Sequence, residues 1–129
     1  MTTADHYMAL AEECLREARL LYDNEFFRGA CGRCYYAYFD AVRALLATKE
    51  IVTKSHAAAR GLFSEHFIKA GPFTKQDATW LNDLFQLRQA GEYDATEDIS
   101  ADDATKAIAI ATEFVLQVKR ICVLLIKLR

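Results

Sequence analysis

Apolar residues recur at three- and four-residue intervals along almost the whole chain, and that periodicity predicts helices throughout. Between Thr3 and Tyr22 the stripe is Tyr7, Leu10, Ala11, Cys14, Leu15, Ala18 and Leu21. Between Phe26 and Ala47 it is Tyr35, Tyr36, Phe39, Val42, Leu45 and Leu46. Thr48 to Lys54 reads as a connector, Ser55 as the N-cap of a third helix reaching Lys69, and Gly71-Pro72 as a break. Thr74 with Asp77 opens a fourth helix that Gly91 is expected to end. Ser100 with Asp103 opens a fifth, which runs to the C-terminus, and Thr2 with Asp5 forms a looser cap of the same kind on the first. Val52 apart, nothing reads as a strand, and no repeat or low-complexity tract is present. Long helices with short connections predict an all-α fold, an up-and-down antiparallel bundle of four to five helices. The chain of 129 residues is expected to form one domain, residues 1–129, long enough to bury a core without disulfides.

Two local departures from amphipathic patterning stand out. Ile121 to Ile126 is apolar on every face, which fits either a deeply buried helix end or a subunit interface. The interface reading, with a two-fold homodimer, is preferred. Arg88 is the other departure. It follows Leu84 by four positions and Phe85 by three, so it lies on the apolar side of the fourth helix. A guanidinium there must find a partner or line a cleft. Tyr93 and Asp94 follow in the bend expected after Gly91. A structural arginine–carboxylate pair and a phosphate cleft are both compatible with this pattern.

The charge of −2 is unevenly placed. Residues 28–75 hold eight basic and three acidic side chains, whereas residues 76–103 hold eight carboxylates and Arg88 alone as a base. A broad basic face for nucleic acid is not indicated, though a local one on the second segment is. With no basic-then-apolar leader at the N-terminus and no apolar run long enough for a bilayer, a cytoplasmic protein without membrane contact is expected. The four cysteines are then expected to be reduced.

Candidate chemistry narrows further. Cys31-Gly-Arg-Cys34 is a CxxC inside a helix, with no preceding strand and no second pair of ligands, so it reads as small-residue packing; no metal and no cofactor are expected. Arg60 and His66 are six positions apart, which on a continuous helix turns the side chains roughly 240° from one another. His56 follows the N-cap Ser55, where a helix terminus lowers an imidazole pKa and offers N–H groups to an anion. Arg33, Tyr36 and Asp40 share a face of the second helix, extended by Arg43. Arginine with a tyrosine hydroxyl suits a phosphate clamp or a buried bridge between helices.

Taken in order, these segments resemble HEPN domains, the nucleotide-binding domains of higher eukaryotes and prokaryotes, in their small stand-alone prokaryotic form. Arg33-Cys-Tyr35-Tyr36-Ala-Tyr-Phe39-Asp-Ala-Val-Arg43-Ala-Leu-Leu resembles the family's "R-x-YY-A-x-F-x-A-x-R-A-L-L" helix. Lys54-Ser-His56 with Phe63, Phe67 and Gly71 resembles its "sH…F…F…tG" segment. Leu84-Phe-Gln-Leu-Arg88-Gln-Ala-Gly-Glu-Tyr93-Asp94 resembles "L-x-x-L-R-x-x-A-D-Y", and Ala111-Thr-Glu-Phe114-Val the closing "A-x-x-F-v" helix. The resemblance implies a helical bundle, usually dimeric, often encoded beside a minimal nucleotidyltransferase in a toxin–antitoxin-like pair. It also implies, in many members, metal-independent ribonuclease activity through an arginine and a histidine four to six residues on. Here Arg88 is followed at that spacing by Tyr93, and a tyrosine, with its pKa of about 10, makes a poor base at neutral pH. The expectation is therefore a nucleotide- or nucleic-acid-binding protein acting with a nucleotidyltransferase, with Arg33, Tyr36, His56, Arg88, Tyr93 and Asp94 as binding residues. A ribonuclease using Arg88 and Tyr93 or His56, and an interaction module with a purely structural arginine cluster, are the alternatives.

Overall fold

The computed structural model describes residues 1–93 and 98–127, without the side chains of residues 92, 93, 126 and 127. Five helices follow in order: α1 (Thr3–Asp23), α2 (Phe27–Ala47), α3 (His56–Phe63), α4 (Lys75–Tyr93) and α5 (Ala101–Lys127). A single π-helical turn, Ser64–Ile68, extends α3. No strand occurs among the described residues.

The caps anticipated from the sequence are formed. Asp5 N–H donates to Thr2 Oγ1 at 3.1 Å and Thr2 N–H to Asp5 Oδ2 at 2.9 Å, a reciprocal capping box. Ser100 and Asp103 repeat it at 3.0 and 3.1 Å. Thr74 N–H donates to Asp77 Oδ2, and Ser55 Oγ accepts from Ala58 N–H. The exits use less obvious residues. Glu25 and Glu50 sit in the left-handed region, φ 64° and 61°, closing α1 and α2 where glycine is the usual choice.

α2 is the axis of the bundle and packs against all the other helices. It can do so because it is apolar on more than one face. Ala30, Cys31, Cys34, Ala37, Ala41 and Ala44 let neighbours approach closely, while Tyr35, Tyr38, Phe39, Leu45 and Leu46 fill the space between them. α1 lies antiparallel to it through Ala4, Met8, Ala11, Cys14, Leu15 and Ala18. Leu10, expected in that stripe, is 44% exposed, because Met8 and Ala4 turn inward instead. Phe114 of α5 lies parallel to Tyr38, ring centroids 3.7 Å apart, edge-on to Phe63 and tilted against Phe73. The four rings tie α2, α3, α5 and the Gly71–Thr74 connection into one core.

One expectation changes. Gly91 does not end α4, which continues to Tyr93. A Cβ there would make ordinary contact with the Arg28 side chain at 3.4 Å and with Ile99 at 3.5 Å, and Arg28 donates to the Gly91 carbonyl. The apolar run of α5 is not a buried end. Cys122 is buried, but Val123 and Leu124 are 46% and 56% exposed, and Leu116, two turns before Val123 on the same stripe, is 49% exposed. No described helix is long and apolar enough to cross a membrane.

Candidate functional site

Positions 35, 36 and 39 of α2 set three aromatic rings on the side of the helix that faces α3 and α4. Tyr35 and Phe39 are buried and Tyr36 is partly open. His56, the first residue of α3, is laid against them: its ring is nearly parallel to Phe39 at 4.2 Å and to Tyr35 at 5.6 Å, and edge-on to Tyr36 at 6.4 Å. The Tyr35 hydroxyl and His56 Nδ1 are hydrogen-bonded.

Arginines close around this aromatic group from different elements. Arg88 of α4 lies over the Tyr36 ring at 5.0 Å and the Tyr35 ring at 5.6 Å. Arg33 of α2 lies over Tyr36 at 4.8 Å and also faces Glu17 of α1 at 3.8 Å. The Arg33–Glu17 pair is solvent-screened on both sides and contributes little stability. Arg60 of α3 lies over Phe85 of α4 at 4.9 Å, and Phe85 packs edge-on against Tyr35. Arg88 thus lies on the apolar side of α4, and two tyrosine faces are among its contacts. Burial lowers the His56 pKa, and the positive charges of Arg88, Arg60 and Arg43 add to the effect. Burial pushes the Tyr35 hydroxyl up to about 12 despite the pull of Arg60 and Arg88. At neutral pH the site therefore holds a neutral imidazole, a protonated phenol and several guanidiniums.

Arg33, Tyr36, His56 and Arg88 come together in this cluster. The Tyr93 side chain and Asp94 lie outside the described residues. Arg60 belongs to the cluster although its spacing to His66 carried no signal; His66 instead lies beside Glu65. What would have marked Arg60 is its position one helical turn after His56.

Asp40 and Arg43 part from Arg33 and Tyr36 and form the bridge between helices. Arg43 is 3.7 Å from Asp40, donates to Tyr7 Oη at 2.7 Å and stacks on the Tyr7 ring at 4.2 Å, joining α2 to α1. The Cys14 thiol faces Asp40 at 4.0 Å. Burial pushes the Asp40 carboxyl up to about 6, against the pull of Arg43 and Arg33. The folded protein therefore holds this proton more tightly than the unfolded chain, whose carboxyl titrates near 3.8. Stability from this group is present below that value and is lost as pH rises through 6. Relative to Asp40→Asn, the wild type is expected to lose roughly 2–3 kcal/mol between pH 4 and pH 7, read from urea unfolding at each pH. Identical pH profiles would remove Asp40 as the titrating group.

Burial also raises the cysteines, Cys31 and Cys34 to about 12 and Cys14 and Cys122 to about 11, so they are inert core thiols.

Comparison with known proteins agrees with this architecture. The sequence model of the HEPN domain matches residues 4–121. A "putative toxin" of Methanocaldococcus jannaschii is 37% identical over 73% of this chain, which spans 64% of that relative's length. A second "putative toxin" of the same organism is 32% identical over 86% of this chain and 82% of its own. A UPF0332 protein of Thermotoga maritima is 29% identical over 91% of this chain and 89% of its own.

Proposed function

The chain belongs to the HEPN domain family, and from that premise we propose that it binds the phosphate of a nucleotide or single-stranded RNA at the Arg88–Tyr36–Arg33–His56 cluster. In this reading it acts with a minimal nucleotidyltransferase in a toxin–antitoxin-like pair. The observation that carries the binding half is the convergence of Arg33 and Arg88, from different helices, on one partly open tyrosine ring. Guanidiniums supply charge-assisted donors to phosphate oxygens, and an aromatic face beside them can stack a base. The names carried by the Methanocaldococcus relatives support the toxin half. The carboxylate-rich stretch following Arg88 disfavours a long RNA track and favours a short ligand, because carboxylates repel phosphates. Calorimetric titration with mononucleotides and with short oligoribonucleotides tests the reading. Saturable binding that weakens with added salt is expected; heat-silent titrations with both would refute it. Co-expression with the product of the neighbouring reading frame tests the paired system, and a nucleotidyltransferase that co-purifies is the expected result.

The same reading includes a homodimer through the outer stripe of α5. Leu116, Val123 and Leu124 are exposed apolar side chains on a helix end that the bundle leaves uncovered. The wild type is expected to sediment as a dimer at micromolar concentration and Leu124→Asp as a folded monomer. A monomeric wild type would remove this role for α5.

A further inference from the structure

We propose that His56 serves the phosphate site as a neutral hydrogen-bond donor through Nε2, its tautomer fixed by the buried Tyr35 hydroxyl, and that Arg60 is a further cation of the same site. The inference rests on the reading that the cluster binds nucleotide phosphate, and it specifies how. Tyr35 is fully buried on α2, and among the described residues its hydroxyl has one hydrogen-bond partner, His56 Nδ1. A buried hydroxyl proton left without an acceptor is costly, so Tyr35 donates and Nδ1 accepts. A neutral imidazole that accepts at Nδ1 carries its proton at Nε2. The ring is stacked on Phe39, Tyr35 holds its Nδ1 edge and the residue is partly open; in this proposal the edge that meets the ligand is the one bearing Nε2–H.

The groups facing that ring are Tyr35, Tyr36 and Arg43 on α2, Arg60 on α3 and Arg88 on α4. Among the described residues, no carboxylate is among the groups that perturb it. A positive charge on the imidazole is opposed by every cation in this shell, and protonation at Nδ1 would displace the Tyr35 donor bond. His56 is thus a donor to an anion and not a proton acceptor from one. The ligand class is a phosphate ester, held by one uncharged N–H beside guanidiniums. Arg60 enters because it flanks the same Tyr35–Phe85 contact as Arg88 from the opposite element and lies one helical turn from His56.

Long-range proton–nitrogen NMR correlation of the ring nitrogens tests the tautomer directly. The protein has three histidines, and His56→Gln assigns the signals. At pH 7 the expected pattern is a neutral ring protonated at Nε2; a ring protonated at Nδ1, or an imidazolium, overturns the proposal. The dinucleoside monophosphate adenylyl-adenosine, whose diester does not titrate near neutrality, is then added. Its binding is expected to shift the His56 Nε2 signal, to vary little between pH 8 and 6 and to weaken about tenfold in Arg60→Ala. In Tyr35→Phe, Nδ1 is released and binding is expected to strengthen as pH falls. If adenylyl-adenosine binds in an Arg88-dependent way, yet leaves His56 unshifted and Arg60→Ala unimpaired, the nucleotide reading stands and this inference fails. If it does not bind to the wild type at all, the ligand assignment made here falls, whatever the tautomer, and the nucleotide reading falls with it once mononucleotides are heat-silent too.

Discussion

Arg88→Ala is expected to weaken nucleotide or RNA binding by about ten- to over a hundredfold, the equivalent of roughly 1.5–3 kcal/mol for a lost charge-assisted contact. The effect is large because Arg88 reaches Tyr35 and Tyr36 of α2 from α4, so its removal takes away a charge that joins the two helices at the site. Arg88 also makes contacts beyond these rings, so some stability is expected to go with it. Arg88→Lys separates the two effects. A lysine keeps the positive charge over the ring faces but loses the planar fork that pairs with phosphate oxygens. It is expected to recover most of the stability and only part of the affinity. Binding measured on variants with native circular dichroism and unchanged sedimentation checks this. A folded Arg88→Ala protein that binds as the wild type does would make the arginine scaffolding.

Phe114→Ala is expected to cost about 3–5 kcal/mol of unfolding free energy, the range for an aromatic removed from a core. That corresponds to a melting temperature lower by roughly 10–20 °C for a domain of this size. Phe114 is 3% exposed and meets Tyr38, Phe63 and Phe73, so the cavity left behind is lined by rings fixed in separate elements. These rings have little freedom to collapse inward. Phe114→Leu fills most of the volume and is expected to lose about 1–2 kcal/mol. Urea unfolding gives both values, and a loss under 1 kcal/mol for Phe114→Ala would contradict the central place given to this residue.

The helices were legible because local chemistry and periodicity agree at most of their starts. Thr2, Ser55 and Ser100 each accept a backbone N–H where the apolar stripe begins, and at Thr74 the backbone N–H donates to Asp77. The exits were harder to read. Glu25 and Glu50 adopt the left-handed conformation that composition assigns to glycine, while Gly91, a plausible stop, lies inside α4 with its carbonyl bonded to Arg28. Tertiary packing decides those positions, and no local pattern carries it. The site divides in the same way. Arg88 announced itself as a charge on an apolar face, and Arg33, Tyr36 and His56 were legible as residues able to hold phosphate. Their convergence depends on how α3 and α4 lie across α2, which spacing along the chain does not determine. Asp40 and Arg43 share the helix with Arg33 and Tyr36, yet they turn to α1, because Cys14 and Tyr7 meet them there. Arg60 offered only its place one turn after His56, because its partner ring, Phe85, is on another helix.

Photolabelling with 8-azidoadenosine monophosphate, followed by peptide mass spectrometry, tests most directly whether this cluster is the binding site. Label that maps to the segment around Tyr35 and Tyr36, is competed by unmodified nucleotide and is lost in Arg88→Ala is the predicted result. Competable label on the α1–α5 side of the bundle, with the Tyr36 segment unmarked, would contradict it.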